Sequence, residues 1–295
     1  MKRDRATATA MGLATALIWG LTFLSIKVVV AVFPPMSLGF ARFVVAVAIL
    51  PLVALATKES LRVAPRDLPL LAASGLVGVT LYFLCENNGI MLLSASEASL
   101  IIGSIPVLTM LTERLFLGSS LGGRAYLGAV LSLAGVGLIA ARSPGAASSP
   151  MGFVFMAGAA ISWVGYSFLT RPLGSRYGRV AITFWQSLFG MLGFVPFVLA
   201  ELPAWAMPGP VVVLNILYLG VFGSAIGYWF YVTSLDILGA GAASAFINLI
   251  PVVSVVAAYL VLGERLAGLQ LLGGAVAVLG VWLATAPAKE KAKAS

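Results

Sequence analysis

The sequence contains no histidine and only one cysteine, Cys85. Without histidine there is no imidazole base for a serine hydrolase triad and no imidazole ligand for a metal ion. A lone cysteine forms neither an intrachain disulfide nor a zinc-binding cluster. The sequence therefore gives no reason to expect a cofactor, a metal site or the chemical groups of an intramembrane enzyme.

Charged residues are also scarce. Asp, Glu, Lys and Arg make up 9% of the 295 residues, whereas a soluble domain has roughly 25%. Hydrophobic residues make up 61%, and the mean hydropathy is +1.06. So few polar side chains cannot cover a soluble surface, which excludes a soluble enzyme and a nucleic-acid-binding domain. The composition predicts an all-α membrane protein that has the lipid bilayer as its partner.

A helix needs about 20 apolar residues to cross the hydrocarbon core of a bilayer. Ten stretches of the sequence meet this requirement, and the loops that join them are too short to form a soluble domain. Their predicted limits are residues 8–31, 36–57, 68–91, 97–117, 124–141, 150–170, 180–200, 210–234, 240–262 and 267–286.

Lysine and arginine fall mostly on one side of these spans. If the N-terminus is cytoplasmic, 13 of them lie inside, and only Arg142 and Arg265 lie outside. Cytoplasmic loops of membrane proteins carry the excess of positive charge. We therefore expect both termini in the cytoplasm, which requires an even number of spans.

The two halves of the sequence match each other when one is shifted by 144 or 145 residues. Trp19 falls on Trp163 at the first shift, and Pro106 falls on Pro251 at the second. Each half has five spans, an odd number, so the second half enters the membrane from the opposite side. Secondary transporters with this plan bind their substrate near the midplane, between the halves. The predicted repeats are residues 8–141 and 150–286.

Two related stretches carry a mid-span Ile-Pro-Val followed by a terminal Leu-Gly. They read IPVVSVVAAYLVLGERLAGLQLLGG at residues 250–274 and IPVLTMLTERLFLGSSLGG at residues 105–123. These stretches resemble the drug/metabolite transporter superfamily, EamA type, although Ser119 stands where the second half has Glu264. The resemblance implies ten spans in two inverted repeats, a bacterial inner membrane, and export of amino acids or other small metabolites.

Aromatic rings near the middle of several spans are candidates for a substrate-binding cavity. Trp19 and Trp163 lie at matching positions of spans one and six, and Tyr166 shares a helix face with Trp163. Tryptophan usually lies near the membrane interface, so a ring at the midplane either packs in the core or faces a cavity. Tyr82 and Tyr231, each beside a glycine-rich face, are further candidates.

Small polar residues and prolines mark spans four and nine. Ser99, Ser244 and Asn248 lie on the faces that lead to the prolines. An amide at the midplane must be hydrogen-bonded, so Asn248 either joins helices or contacts substrate. Pro106 and Pro251 each remove a helical hydrogen bond, and the resulting kinks either assist gating or are satisfied by neighbouring helices.

Ionisable side chains within the spans are the remaining candidates. Glu86, in the outer part of span three, is a candidate for proton coupling or for an ion pair with Lys27 or Arg42. Arg42 itself is expected to extend to the membrane surface, with carboxylate binding as the alternative. Small four-span members of the superfamily that this sequence resembles use a glutamate at the midplane of span one to bind drug cations and protons. Span one has no such carboxylate here, so the resemblance argues against proton-coupled export of cationic drugs by that mechanism. No basic cluster lies at the midplane either, which argues against phosphate esters.

These features predict alternating-access export of small neutral or zwitterionic solutes, above all apolar or aromatic amino acids. An exporter of lipophilic drugs or dyes is an alternative within the same class. An intramembrane enzyme or a channel is the alternative from a different class. A monomer is compatible with the sequence, which leaves the oligomeric state open.

Overall fold

The computed structural model describes residues 2–118, 122–141, 149–238, 246 and 249–285. Within these ranges the regular secondary structure consists entirely of helices. An apolar helix satisfies its backbone hydrogen bonds internally, as hydrocarbon surroundings require. The prediction of an all-α protein is confirmed for this part of the chain.

In the first half, a 3₁₀ turn (Pro65–Asp67) precedes the third helix, and a π-helical turn (Leu76–Leu81) joins the third helix to the fourth. The described helices are α1 (Lys2–Val30), α2 (Pro35–Thr57), α3 (Leu68–Gly75), α4 (Tyr82–Leu92), α5 (Ala95–Ile102), α6 (Ile105–Leu117) and α7 (Gly123–Ala141).

In the second half, π-helical turns occur at Leu219–Ile226 and Ala258–Leu262, and a 3₁₀ turn occurs at Leu202–Ala204. The described helices are α8 (Pro150–Thr170), α9 (Arg179–Glu201), α10 (Pro210–Tyr218), α11 (Gly227–Leu238), α12 (Ile250–Ala257) and α13 (Gly268–Thr285).

Seven helical stretches in the described residues are long and apolar enough to cross a membrane. They are Arg5–Val30, Pro35–Thr57, Pro65–Leu92, Ala95–Phe116, Pro150–Thr170, Arg179–Ala204 and Pro210–Tyr231. The other three predicted spans correspond to shorter apolar helices, Gly123–Ile139, Ile250–Leu262 and Gly268–Ala284. Several helices that could cross a membrane are therefore present in the described residues, and the count of ten stays a prediction.

The two mid-span prolines begin helices. Span four is divided at residues 103–104 into α5 and α6, and Pro106 lies in the first turn of α6. Pro251 likewise lies in the first turn of α12. Proline is favoured there, because its missing N–H would have no partner in a first turn. Span four therefore has a break in its helix just before Pro106, and a role of either proline in gating stays a prediction.

The two halves share unusual local structure at matching positions. Gly118 and Gly263, which are 145 residues apart, both follow a helix with a positive φ, of 65° and 67°. Glycine adopts this conformation at little steric cost. The π-helical turns at Leu76–Leu81 and Leu219–Ile226 also overlap at the same shift. The internal repeat seen in the sequence therefore extends to local backbone structure.

Glutamates at helix ends join α2 to α9. The Glu201 carboxylate, at the end of α9, accepts hydrogen bonds from the backbone N–H of Met36 and Ser37 in α2, at 3.1 and 2.7 Å. Glu59, just beyond α2, accepts one from the N–H of Val180 in α9, at 3.3 Å. A carboxylate at a helix N-terminus pairs N–H groups that lack an intrahelical partner and favours the positive end of the helix dipole. The two helices are therefore antiparallel and fastened at both ends.

Helices α7 and α13 pack with their backbones in contact. A Cβ atom at Gly280 would overlap the backbone nitrogen of Ser132 and lie 2.7 Å from the carbonyl oxygen of Gly128. Small residues allow this close approach in membrane helices. The last described helices of the two halves thus form one tight pair.

Candidate functional site

A cavity of about 430 Å³ lies where helices of both halves meet. This volume is within the range of small-molecule sites. In the first half its walls come from α1, α2, α4, α5 and α6, and in the second half they come from α8, α11, α12 and the π-helical turn Leu219–Ile226. The lining residues are Trp19, Thr22, Phe23, Arg42, Tyr82, Phe83, Glu86, Ile102, Ile105, Pro106, Thr109, Met110, Glu113, Trp163, Ser167, Gly223, Tyr228, Tyr231 and Ile250.

Aromatic rings form a connected group along the cavity. The centroid of the Trp163 ring lies 5.2 Å from that of Tyr82 and 6.3 Å from that of Tyr228. The Trp19 ring lies 5.1 Å from Tyr228 and 5.3 Å from Tyr231. These separations suit tilted and edge-to-face contacts, which stabilise aromatic pairs. Tyr228 therefore links the tryptophan of one half to that of the other.

Two hydrogen bonds attach α1 and α8 to the π-helical turns of the opposite half. The Trp19 Nε1–H donates to the carbonyl oxygen of Gly223 at 3.0 Å, and the Ser162 hydroxyl donates to that of Val77 at 2.5 Å. A π-helical turn displaces carbonyl groups from the regular helical pattern. Because Ser162 precedes Trp163 in the chain, the two bonds position both tryptophans beside the cavity.

Arg42 and Glu86 bring opposite charges to the cavity wall. Arg42 is 4% exposed and Glu86 is 5% exposed. Arg42 Nε donates to the Ser224 hydroxyl at 2.6 Å, and its guanidinium carbon lies 4.3 Å from the centroid of the Phe83 ring. Glu86 Oε1 accepts a hydrogen bond from the Tyr82 hydroxyl at 2.7 Å. The ion pairs in the described residues include neither of those suggested for Glu86, and the expectation that Arg42 extends to the surface is wrong.

Lys27 joins α1 to the end of α4, away from the residues that line the cavity. Its ammonium donates to the carbonyl oxygens of Ile90, Met91 and Leu93, at 2.9, 3.2 and 2.5 Å. Glu113, in α6, lines the cavity, and its side chain is 43% exposed, so the lining there includes a partly exposed residue.

The residues predicted from the sequence divide into three groups. Tyr166 donates to Gln186 beside a separate small pocket, the buried Ser99 donates to the carbonyl oxygen of Ser96, and Pro251 borders a crevice against α13. Ser244 and Asn248 lie outside the described residues. The predicted residues that line the cavity are Trp19, Tyr82, Glu86, Pro106, Trp163 and Tyr231.

Sequence reasoning missed Tyr228 as a cavity residue and considered carboxylate binding by Arg42 only as the alternative. Tyr228 precedes Tyr231 by three residues, and this spacing places both on one helix face, so a signal was available. The inward direction of Arg42 gave no signal, because α2 is apolar on every side and its periodicity does not indicate which face turns inward.

The arrangement suits reversible binding of a solute. Its rings offer apolar surface with polar edges, and its two buried charged residues, Arg42 and Glu86, both come from the first half of the chain. In the part of the chain that the structure describes, no three Cys, Asp or Glu side chains are grouped so that they could hold a metal ion.

Known proteins with similar sequences include two that are named as exporters. A "probable terminal-alkyne amino-acid exporter" of Streptantibioticus cattleyicolor is 29% identical over 91% of this chain and 90% of its own length. A "probable amino-acid metabolite efflux pump" of Escherichia coli K12 is 26% identical over 92% of this chain and 93% of its own.

The fold and the repeat are also found in known proteins. A solved crystal structure superposes with a TM-score of 0.69 at 22% identity and covers 95% of this chain and 96% of its own. At this identity the likeness concerns the fold alone. The sequence profile of the EamA-like transporter family matches residues 6–141 and again residues 150–286.

Proposed function

The chain belongs to the EamA-like transporter family, and we propose that it exports amino acids, above all apolar or aromatic ones. It is a membrane transporter and not an enzyme. The observation that carries the proposal is the cavity between the halves, whose aromatic rings surround a buried pair of opposite charges. Rings of this kind bind an apolar side chain at little entropic cost, and the charges suit a zwitterionic backbone.

Transport by alternating access follows from the proposed architecture. We propose ten spans, with residues 8–141 and 150–286 as two inverted repeats, and substrate bound between them. We propose that the contacts of Lys27 seal one end of the cavity and that the end at Glu113 is open, as the closed and open gates of one state. The helix break before Pro106, beside the cavity, is a place where span four can bend during the exchange of gates.

The proposed location is a bacterial inner membrane with both termini in the cytoplasm. In this orientation spans four and six end on the cytoplasmic side, so the cavity is open to the cytoplasm, as loading for export requires. The partners are a small solute and the lipid bilayer, and neither nucleic acid nor a second subunit is needed. A proton gradient is not strictly required, and Glu86 is the coupling residue if one is used.

Export of lipophilic drugs or dyes is the second candidate function. It is favoured by the apolar majority of the lining residues, such as Phe23, Ile102, Ile105 and Met110. The two charged groups count against it, because an uncharged drug would leave both of them buried and unpaired.

The transport assay uses purified protein in liposomes. Radiolabelled amino acids and a panel of lipophilic dyes are tested for counterflow, with and without a pH gradient. We expect saturable counterflow of apolar or aromatic amino acids. Movement of dyes without amino acids would support the second candidate, and conductance without saturation or counterflow would indicate a channel.

The orientation is tested with three serine-to-cysteine variants made in a Cys85→Ala background. Ser60 and Ser175 are exposed in loops that we propose to be cytoplasmic, and Ser149 lies in a loop that we propose to be external. An impermeant maleimide added to intact cells should label only Ser149→Cys. Labelling of Ser60→Cys or Ser175→Cys would contradict the orientation.

A further inference from the structure

The Arg42 guanidinium keeps an unused hydrogen-bond donor at the cavity wall. Its Nε is bonded to Ser224, and its face packs against Phe83. Its Nη1 is buried and has no hydrogen-bond partner. A buried donor of a charged group that lacks an acceptor costs more free energy than a neutral one. Because Arg42 lines the cavity, a rotation of its side chain that turns the buried Nη1 toward the cavity would let a bound solute supply the missing acceptor.

The matching position of the second half shows what a completed site looks like. Arg42 falls on Gln186 at the shift of 144 residues. The Gln186 amide nitrogen donates to Ser74 at 2.9 Å and to Thr170 at 2.8 Å, and its oxygen accepts from Tyr166 at 3.1 Å. Gln186 is 2% exposed and does not line the main cavity. The polar group at this position is thus fully hydrogen-bonded at Gln186, outside the cavity, and incompletely hydrogen-bonded at Arg42, which lines the cavity.

We propose that Arg42 binds the carboxylate of the transported solute through Nη1, and that Glu86 faces the solute's ammonium group. A guanidinium presents its N–H groups in a planar fork that matches a carboxylate. Glu86 contributes a negative charge on the same cavity wall without forming an ion pair with Arg42. This proposal rests on the proposed amino-acid export and specifies how the solute's backbone is recognised.

The desolvation cost of the two buried charges favours the binding of a zwitterion in this position. Opposite charges that lie in a buried cavity without contact each keep part of their desolvation cost. A zwitterion brings a carboxylate to Arg42 and an ammonium to Glu86, so that both charges are paired at once. The aromatic rings of Trp163 and Tyr228 then remain for the side chain. The solute class is therefore an α-amino acid with an apolar side chain.

The first test compares three probes on the unaltered protein. L-Phenylalanine has both charges, L-phenylalaninamide lacks the carboxylate, and 3-phenylpropionate lacks the ammonium. Each is used to inhibit counterflow of radiolabelled phenylalanine in liposomes. Because a charge-assisted hydrogen bond contributes about 1.5–3 kcal/mol, we expect the amide to inhibit roughly 10- to 100-fold more weakly than phenylalanine. Equal inhibition by phenylalanine and its amide would overturn the proposal.

The second test uses variants at the two matching positions. In Arg42→Gln the preference for phenylalanine over its amide should fall to about 1, and Arg42→Lys should restore part of it, because the charge is kept and the fork is lost. Gln186→Leu is the matched control: it disturbs a buried polar group outside the cavity, so stability should fall while the preference stays. Loss of the preference in Gln186→Leu as well would show a general effect of misfolding and contradict the role of Arg42.

A third measurement separates this proposal from the proposed function. If phenylalanine is not transported, the melting temperature of purified protein is measured with each of the three probes. Stabilisation by 3-phenylpropionate without stabilisation by phenylalaninamide would reject amino-acid export and keep the carboxylate site at Arg42. Stabilisation by the amide alone, or by none of the three, would reject both.

Discussion

The Lys27 ammonium should hold the sealed end of the cavity closed, and Lys27→Gln tests this role. The lysine is half-buried and donates to three carbonyl oxygens of Ile90, Met91 and Leu93. The last carbonyls of a helix have no intrahelical partner, and a cation near them is favoured by the helix dipole.

The size of the effect follows from these contacts. A hydrogen bond to a charged group contributes about 1.5–3 kcal/mol, and the three bonds share one ammonium that is itself partly desolvated. Removing the charge should therefore shift the balance between sealed and open states by about 2 kcal/mol. This shift corresponds to roughly a 30-fold change in population.

The assay follows the accessibility of Thr22→Cys in a Cys85→Ala background, because Thr22 lines the cavity. An impermeant maleimide is applied to intact cells, to which the sealed end is proposed to face. Labelling of Thr22→Cys should become about 30-fold faster when Lys27→Gln is added, for the population shift given above.

The matched control is Arg171→Gln, because Lys27 falls on Arg171 at the shift of 144 residues. The Arg171 guanidinium meets Glu113 at 3.6 Å, with side chains that are 66% and 43% exposed. An exposed ion pair contributes little to stability, so external labelling should not increase in this variant. Unchanged labelling in Lys27→Gln, with a normal melting temperature, would refute the reasoning.

Three further predictions concern the cavity and the helix packing. Trp163→Ala should weaken binding of phenylalanine about tenfold, for a lost contact of 1.4 kcal/mol, with only a modest fall in melting temperature; a large fall with unchanged affinity would place the ring in the core. Counterflow should persist without a pH gradient. The contrary result would be counterflow that strictly requires a pH gradient in the unaltered protein and no longer requires it in Glu86→Gln. Gly280→Leu should lower the free energy of unfolding by about 1–3 kcal/mol or more, because the new side chain separates two helix backbones, and the melting temperature measures this loss. Gly122→Ala should leave the melting temperature unchanged, because nothing lies within 4 Å of its added Cβ.

The sequence is sufficient to predict the helical fold and six of the 19 residues that line the cavity. Hydropathy locates the helices because every apolar span must satisfy its backbone internally, and the repeat identifies Trp19 and Trp163 as equivalent. The break at residues 103–104 could not be predicted, because a break and a kink differ only in which backbone hydrogen bonds form before Pro106. The presence of one proline does not determine those bonds. The inward direction of Arg42 depends on how α2 packs, and an evenly apolar helix carries no sign of it.

The contacts of Glu201 and Glu59 at the two ends of α2 and α9 tie the lengths of these helices to each other. Each has 23 residues, which at 1.5 Å per residue is about 35 Å, close to the thickness of a bilayer core. Because each carboxylate follows the end of one helix and reaches the start of the other, both helices must keep the same length. One residue inserted in α2 alone would pull a carboxylate out of register, and a second insertion in α9 would restore it. The pair cannot slide along its axis without losing carboxylate contacts at both of its ends.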